Sequence, residues 1–220
     1  MNTQNTPSEH SDDRDPLANI IYIAVPESLE RQVGELEIDP EIMLPVEATG
    51  GTGDKWDPSD LSWEQIIAAM LKILAYKPDH EHADYYRRFV LEARPDIIEE
   101  LTETGVFKAK NQDFDVAEEI FRALAGLLPG DSRVELNIAL LYEQRADAAE
   151  SRGDDEGARR YEDAALETYN GLFEKDEILP EAHLNAAHFY LKRRNYDRAR
   201  LHLESYTNSG DDEEKISEAR

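Results

Sequence analysis

The stretch Leu101-Thr-Glu-Thr-Gly-Val-Phe-Lys-Ala-Lys-Asn-Gln-Asp-Phe-Asp-Val-Ala-Glu-Glu-Ile-Phe-Arg-Ala-Leu-Ala-Gly-Leu-Leu-Pro129 decides the fold. It reads as two helices of helical hydrophobic period with a polar break before Phe114, and Pro129 falls where a helix pair must end. Gly105 and Ala117 are small residues 12 apart, one in each helix. Working outward, its landmarks recur. Ala83 precedes Ala117 by 34 residues, Pro95 precedes Pro129 by 34, Gly105 precedes Ala139 by 34, and Ala165 precedes Ala199 by 34. A fixed period of that length marks a repeat architecture, in which each unit buries its apolar face against its neighbours.

The same pattern lays copies along the chain. Leu101-x2-Thr104-Gly105, Ala117-x3-Phe121 and Pro129 form one. Ile138-Ala139-x2-Tyr142 with Ala165-x3-Tyr169 forms a second. Ala186-Ala187-x2-Tyr190 with Ala199-x3-Leu203 forms a third. A weaker copy over 62–95 keeps Ala83 and Pro95 but carries Leu71 at the small site and Arg87 at the aromatic site. The turns Asp113-Phe-Asp-Val-Ala117 and Asn195-Tyr-Asp-Arg-Ala199 match one another.

These residues resemble the tetratricopeptide repeat family over about 150 of the 220 residues. The resemblance implies an all-α solenoid of about four helical hairpins over residues 61–210. Helices are expected over 62–75, 79–93, 96–111, 114–127, 132–152, 155–176, 181–193 and 196–209. The last four prolines, Pro78, Pro95, Pro129 and Pro180, all fall between them.

The register breaks once. Ala117 to Ala165 and Ala139 to Ala187 are each 48 residues apart, 14 more than the period. The surplus centres on Gly153-Asp154, so each helix of the middle hairpin gains about seven residues. Seven is close to two turns of about 3.6 residues, so both helices lengthen and keep facing each other. At about 1.5 Å per residue the middle hairpin is expected to reach about 10 Å beyond its neighbours.

Residues 1–60 differ. They hold 14 acidic and 3 basic side chains and six of the ten prolines. Charge and proline oppose a packed helical core, and an acidic, partly disordered N-terminal arm is expected. Two apolar patches, Ile20-Ile-Tyr-Ile-Ala-Val25 and Leu36 to Val46, read as extended. Part of residues 17–47 is expected to dock on the helical body, as a competitor in its groove or as a brace along its first hairpin. Residues 211–220 read as the start of a capping or further helix.

The net charge of −25 disfavours nucleic acid and membrane surfaces as partners. The absence of cysteine excludes disulfides, thiol catalysis and cysteine-ligated metal. The start of the chain lacks the basic and apolar regions of a secretory signal, and a cytoplasmic location is expected. Gly50-Gly-Thr-Gly-Asp-Lys55 lacks phosphate-loop spacing and reads as a linker. Asp79-His-Glu-His-Ala-Asp84 groups residues able to ligate metal, but His80 and His82, two apart, diverge on a helix.

No catalytic, cofactor or metal residue is therefore assigned, and a metal-dependent enzyme at this histidine cluster ranks last. The leading expectation is a non-catalytic interaction module that binds a peptide or partner protein. The alternative is a self-assembling scaffold. The family resemblance implies a concave face lined by the first helix of each hairpin. By position its residues are Lys72, Val106, Lys110, Arg133, Asn137, Leu140, Asn185, His188 and Lys192. Asn137 and Asn185 stand where asparagines of the family bond a bound peptide backbone, since an amide both donates and accepts. The lysine and asparagine set of the chaperone-binding subclass is missing, because Thr102, Glu103 and Val106 stand in its place.

Overall fold

The fold is that of a computed structural model, which describes residues 15–25, 32–48 and 62–209. The Gly50–Lys55 linker and the segment 211–220 lie outside the described residues. Among the described residues the chain is predominantly helical. Eight helices follow four short strands: α1 Trp63–Tyr76, α2 Ala83–Ala93, α3 Ile97–Lys110, α4 Phe114–Leu127, α5 Ser132–Ser151, α6 Asp155–Phe173, α7 Pro180–Lys192 and α8 Tyr196–Ser209. The strands are β1 Ile20–Ile23, β2 Gln32–Val33, β3 Leu36–Glu37 and β4 Leu44–Glu47.

Local sequence fixes the helix ends. Ser62 caps α1 in a reciprocal box with Gln65. Asp131 accepts from the Arg133 and Val134 amides at the start of α5, and Asp154 accepts from the Gly157 amide at the start of α6. Pro180 opens α7, where its missing N–H is no loss.

Helices α3 and α4, α5 and α6, and α7 and α8 pack as three hairpins. Their turns share one geometry. Gln112, Gly153 and Arg194 each take positive φ, at 61°, 77° and 56°. The next amide reaches back to a carbonyl five residues earlier: Asp113 to Lys108 at 3.0 Å, Asp154 to Ala149 at 2.9 Å, and Asn195 to Tyr190 at 2.9 Å. This is the Schellman closure of a helix end. The three left-handed residues are spaced 41 apart on both sides of Gly153, so the surplus of the middle hairpin is divided evenly about its turn. Accordingly α5 and α6 run 20 and 19 residues, against 13 or 14 in α3, α4, α7 and α8. Each hairpin crosses at its small residues. Ala117, Ala139, Ala165, Ala187 and Ala199 are all within 1% of full burial, and Gly105 is buried against the Phe121 ring.

The N-terminal helices are arranged differently from the other three pairs. Helix α1 packs chiefly along α4 and against β4, and less against α2. Gly126 of α4 permits this, because a Cβ there would lie 2.0 Å from the Leu74 carbonyl oxygen of α1. Arg87 then serves as a tie instead of packing as an aromatic would: its Nε donates to the Gly126 carbonyl at 2.7 Å, and its guanidinium also donates to Asp84 and to the Pro78 carbonyl. Leu71, too large for a small-residue crossing, packs at the edge of the N-terminal core.

Strand β1 pairs antiparallel with β4, Ile20 opposite Glu47 and Ile23 opposite Leu44. Strands β2 and β3 form a tight hairpin around Gly34, whose φ of 58° suits glycine. The Glu35 amide donates to Glu92 of α2 at 2.9 Å. Leu36, Ile38, Leu44 and Val46 are buried in one cluster with Ile66, Met70, Ile73, Tyr86 and Phe89. Burying a Leu or Val side chain is worth about 1.5–3 kcal/mol, so this strand unit is part of the core that closes α1 and α2. Two further clusters follow along the chain, one around Phe121 and Leu124, the other around Tyr169, Ala186 and Phe189.

Candidate binding face

The first helices of the three hairpins, α3, α5 and α7, touch in succession. On α5 the positions Arg133, Asn137, Leu140, Gln144, Asp147 and Ser151 follow helical spacing and lie along one side. Arg133 is exposed at the first turn. Asn137 is half-buried, and its amide has no hydrogen-bond partner among the described residues. Leu140 is half-buried against the C-terminal cluster.

On α7, the Asn185 Nδ2 donates to the Glu181 carbonyl of its own helix at 2.8 Å, while its Oδ1 stays uncommitted. His188 and Lys192 are exposed. On α3, Val106 is half-buried and packs into the Phe121 cluster, whereas Lys110 is exposed at the last turn. Lys110, Phe114, Gln144, Asp147 and Ser151 surround a small depression of ≈ 260 Å³ between α3 and α5.

Two of the nine sequence-derived positions are already ion-paired. Lys72 on α1 is paired with Glu47 of β4 at 2.5 Å, beneath the strand unit and apart from the other eight. Lys192 reaches Asp147 across to α5 at 2.7 Å. Both counter-charges escaped sequence reasoning, since Glu47 is 25 residues and Asp147 45 residues from its partner. No local pattern records such separations. Helix α5 continues a further turn beyond the level of this pair. It is anchored on its other side by Arg145, which pairs with Asp115 and Glu118 of α4 and stacks 4.6 Å over the Tyr161 ring of α6.

Behind this face lies a buried polar pair. Glu143 of α5 is 7% exposed and accepts a 2.6 Å hydrogen bond from the Tyr169 hydroxyl of α6. Burial pushes the Glu143 carboxyl above the usual range, although the bond from Tyr169 and the nearby Lys192 and Arg193 oppose this.

Four of the histidines form two groups. His80 Nδ1 accepts from the His82 amide at 3.1 Å, so a neutral ring carries its proton on Nε2, which lies 3.2 Å from the Tyr22 hydroxyl. Both ring nitrogens are therefore committed within the protein. Among the described residues no group of three or more His, Asp or Glu side chains is placed to hold a metal ion. Burial, then His82 and Lys77, hold His80 below the usual histidine range. The second group joins His183 of α7 to His202 of α8, with the two Nδ1 atoms 3.0 Å apart and Phe173 stacked on His183.

No family model, curated protein or solved structure matches this chain. Among the described residues no helix is long and apolar enough to cross a membrane.

Proposed function

We propose that the chain is a non-catalytic interaction module of the tetratricopeptide-repeat type. In this reading α3 to α8 are successive turns of a right-handed solenoid, and the side formed by α3, α5 and α7 takes an extended peptide or a segment of a partner protein. The strand unit formed by residues 15–25 and 32–48 braces the N-terminal end. The observation that carries the reading is the threefold turn at Gln112, Gly153 and Arg194, with equal spacing and identical closing hydrogen bonds. Three hairpins closed by one turn geometry expose three successive first helices, and repetition along an axis matches a ligand that itself repeats along a chain. Asn137 and the Asn185 Oδ1 offer amide groups for a peptide backbone. Lys110, Arg133 and His188 have no ion-pair partner among the described residues, in a protein whose formal charge is −25.

The test is affinity capture from the native source with the wild type and with the double variant Asn137→Ala, Asn185→Ala. Proteins retained by the wild type and lost by the variant support the reading, provided both fold alike by circular dichroism. Identical retention removes the face from consideration.

A second reading is favoured by a separate observation. Leu191 and Tyr196 are exposed beside a shallow cavity of ≈ 460 Å³ at the α7–α8 end, and Leu201 is exposed on α8. A scaffold that assembles through this end would run as a dimer in light scattering and revert to a monomer on Leu201→Asp.

A further inference from the structure

Between the strand unit and the α1–α2 connection lies a pocket of ≈ 480 Å³ lined by Tyr22, Glu41, Met43, His80, Glu81 and His82. It is built from three separate stretches of chain, brought together by the pairing of β1 with β4 and the packing of β4 on α1. Its apolar side chains are not surplus core. Tyr22 and Met43 stand 43% and 48% exposed at its rim, although the remainder of the strand unit buries Leu44, Pro45 and Val46 completely or nearly so.

The pocket wall is an aromatic pile. The Tyr22 ring stacks on His80 at 6.1 Å and 14°, His80 meets His82 at 5.7 Å, and both meet the buried Tyr86 ring, at 5.3 and 6.2 Å. The Tyr86 hydroxyl is buried with no hydrogen-bond partner among the described residues. It lies near enough to Tyr22 and Glu81 for both to add to the burial that pushes its ionisation upward.

The chemistry of this lining selects a ligand class. Aromatic faces present the negative side of their quadrupole, and a cation over such a face is attracted. The imidazoles act in the same sense only while neutral, and His80 is held below the usual range. Among the described residues the charged lining groups are both carboxylates, Glu41 and Glu81, and no lysine or arginine lines the pocket. An anion would meet two like charges and a chain of −25. A neutral aliphatic group would fill the Met43 and Tyr22 side but leave the carboxylates unused. An arginine side chain uses all of it. Its stem lies along Met43, its plane stacks on the Tyr22 or His82 ring, and its fork reaches Glu41 or Glu81.

We propose that this pocket binds the guanidinium side chain of a basic peptide, with arginine preferred over lysine because only a planar cation both stacks and forks. The site is separate from the α3–α5–α7 face and stands whether or not that face binds anything.

The test is a titration of the whole chain followed by NMR at the His80 and His82 ring protons. The probes are the N-acetyl methylamides of arginine, lysine, norleucine and glutamate. Arginine is expected to give saturable shifts with a dissociation constant on the order of a millimolar, lysine weaker, norleucine about fivefold weaker than arginine, and glutamate none. The exposed-charge variant Glu41→Gln, Glu81→Gln leaves the packing intact and should weaken arginine about fivefold while leaving norleucine unchanged. Tyr22→Ala should abolish the preference for the cation, and Asn137→Ala with Asn185→Ala should change nothing. Equal affinity for arginine and norleucine, or an arginine affinity indifferent to the charge variant, would overturn the proposal, as would no saturable shift with any probe.

Discussion

Gly126→Ala tests the least repeat-like part of the fold. A helical glycine is ordinarily a weakness, and alanine in its place gains about 1 kcal/mol. At Gly126 the added Cβ would lie 2.0 Å from the Leu74 carbonyl oxygen, 2.4 Å from the Leu74 carbonyl carbon and 3.0 Å from its Cβ. Two of these three atoms are backbone and cannot rotate away. Ordinary contact needs about 3.4 Å or more, so α1 and α4 must separate by about an ångström or more along their crossing. That separation loosens Ile73, Leu74 and Leu127, each no more than 2% exposed, and stretches the 2.7 Å bond from Arg87 to the Gly126 carbonyl. Overpacking of this kind costs about 1–3 kcal/mol and more where the backbone itself blocks relief. Subtracting the helix gain, the expected net loss is about 2 kcal/mol. Gly171→Ala provides the matched control, since it lies in α6 with nothing within 4 Å of the added atom. It should gain about 0.5–1 kcal/mol. Urea unfolding of the two variants should therefore give opposite signs, about 3 kcal/mol apart. If Gly126→Ala proves as stable as Gly171→Ala, α1 does not cross α4 at Gly126.

Other outcomes follow from single contacts. Burial holds the His202 imidazole down to about 4 and His183 below the usual range, so unfolding takes up protons between about pH 6.5 and 4. Stability should fall as pH falls through that window, by about 2 kcal/mol for His202 after allowing for its partial exposure, and His202→Asn should flatten the dependence in urea titrations. Gln112→Gly and Arg194→Gly should each raise the melting temperature, because a side chain at φ 61° or 56° costs about 1 kcal/mol that glycine avoids. Tyr169→Phe should lose about 1–3 kcal/mol by leaving the buried Glu143 carboxylate without its donor. Adding Glu143→Leu should recover part of that loss, and a double-mutant cycle measures the coupling.

The helices were legible because their information is local. Alanines at a fixed separation, prolines at four of the seven helix junctions and a polar residue before each second helix suffice to place hairpins. The 48-residue spacing also located the lengthened pair, because a helix cannot absorb a surplus that turns its face away from its partner. The strand unit was legible only as two extended apolar patches. Which strand meets which depends on β1 pairing with β4 across 21 to 27 residues, Ile23 with Leu44 and Ile20 with Glu47, a choice that turn chemistry does not encode. The α1–α4 packing was hidden for a related reason. Gly126 looks like a mild helix defect in sequence, and its meaning comes only from Leu74 opposite it. Leu71 and Arg87 did mark the first unit as irregular, and that irregularity is where the helix partner changes.

The candidate sites show the same division between local and distant information. Eight of the nine face positions lie on α3, α5 and α7, since a helix offers its side chains at a known period. Their electrostatics could not be read, because Lys192 meets Asp147 and Lys72 meets Glu47 only after folding. The Tyr22 pocket was beyond reach altogether. Taken with their neighbours in the chain, His80 and His82 read as a solvated capping turn that carries residues able to ligate metal. Taken with Tyr22, 58 residues away from His80, and with Met43 and Glu41, they form an aromatic and acidic wall instead. A histidine pair of this spacing can serve either chemistry. What separates the two is where the Nδ1 and Nε2 lone pair and proton are directed, and here the His82 amide and the Tyr22 hydroxyl take both. The strand unit thus does two things at once: Leu44 and Val46 close the core of α1 and α2, and the Tyr22 ring at its far edge turns a helix-capping loop into a pocket with a chemical preference.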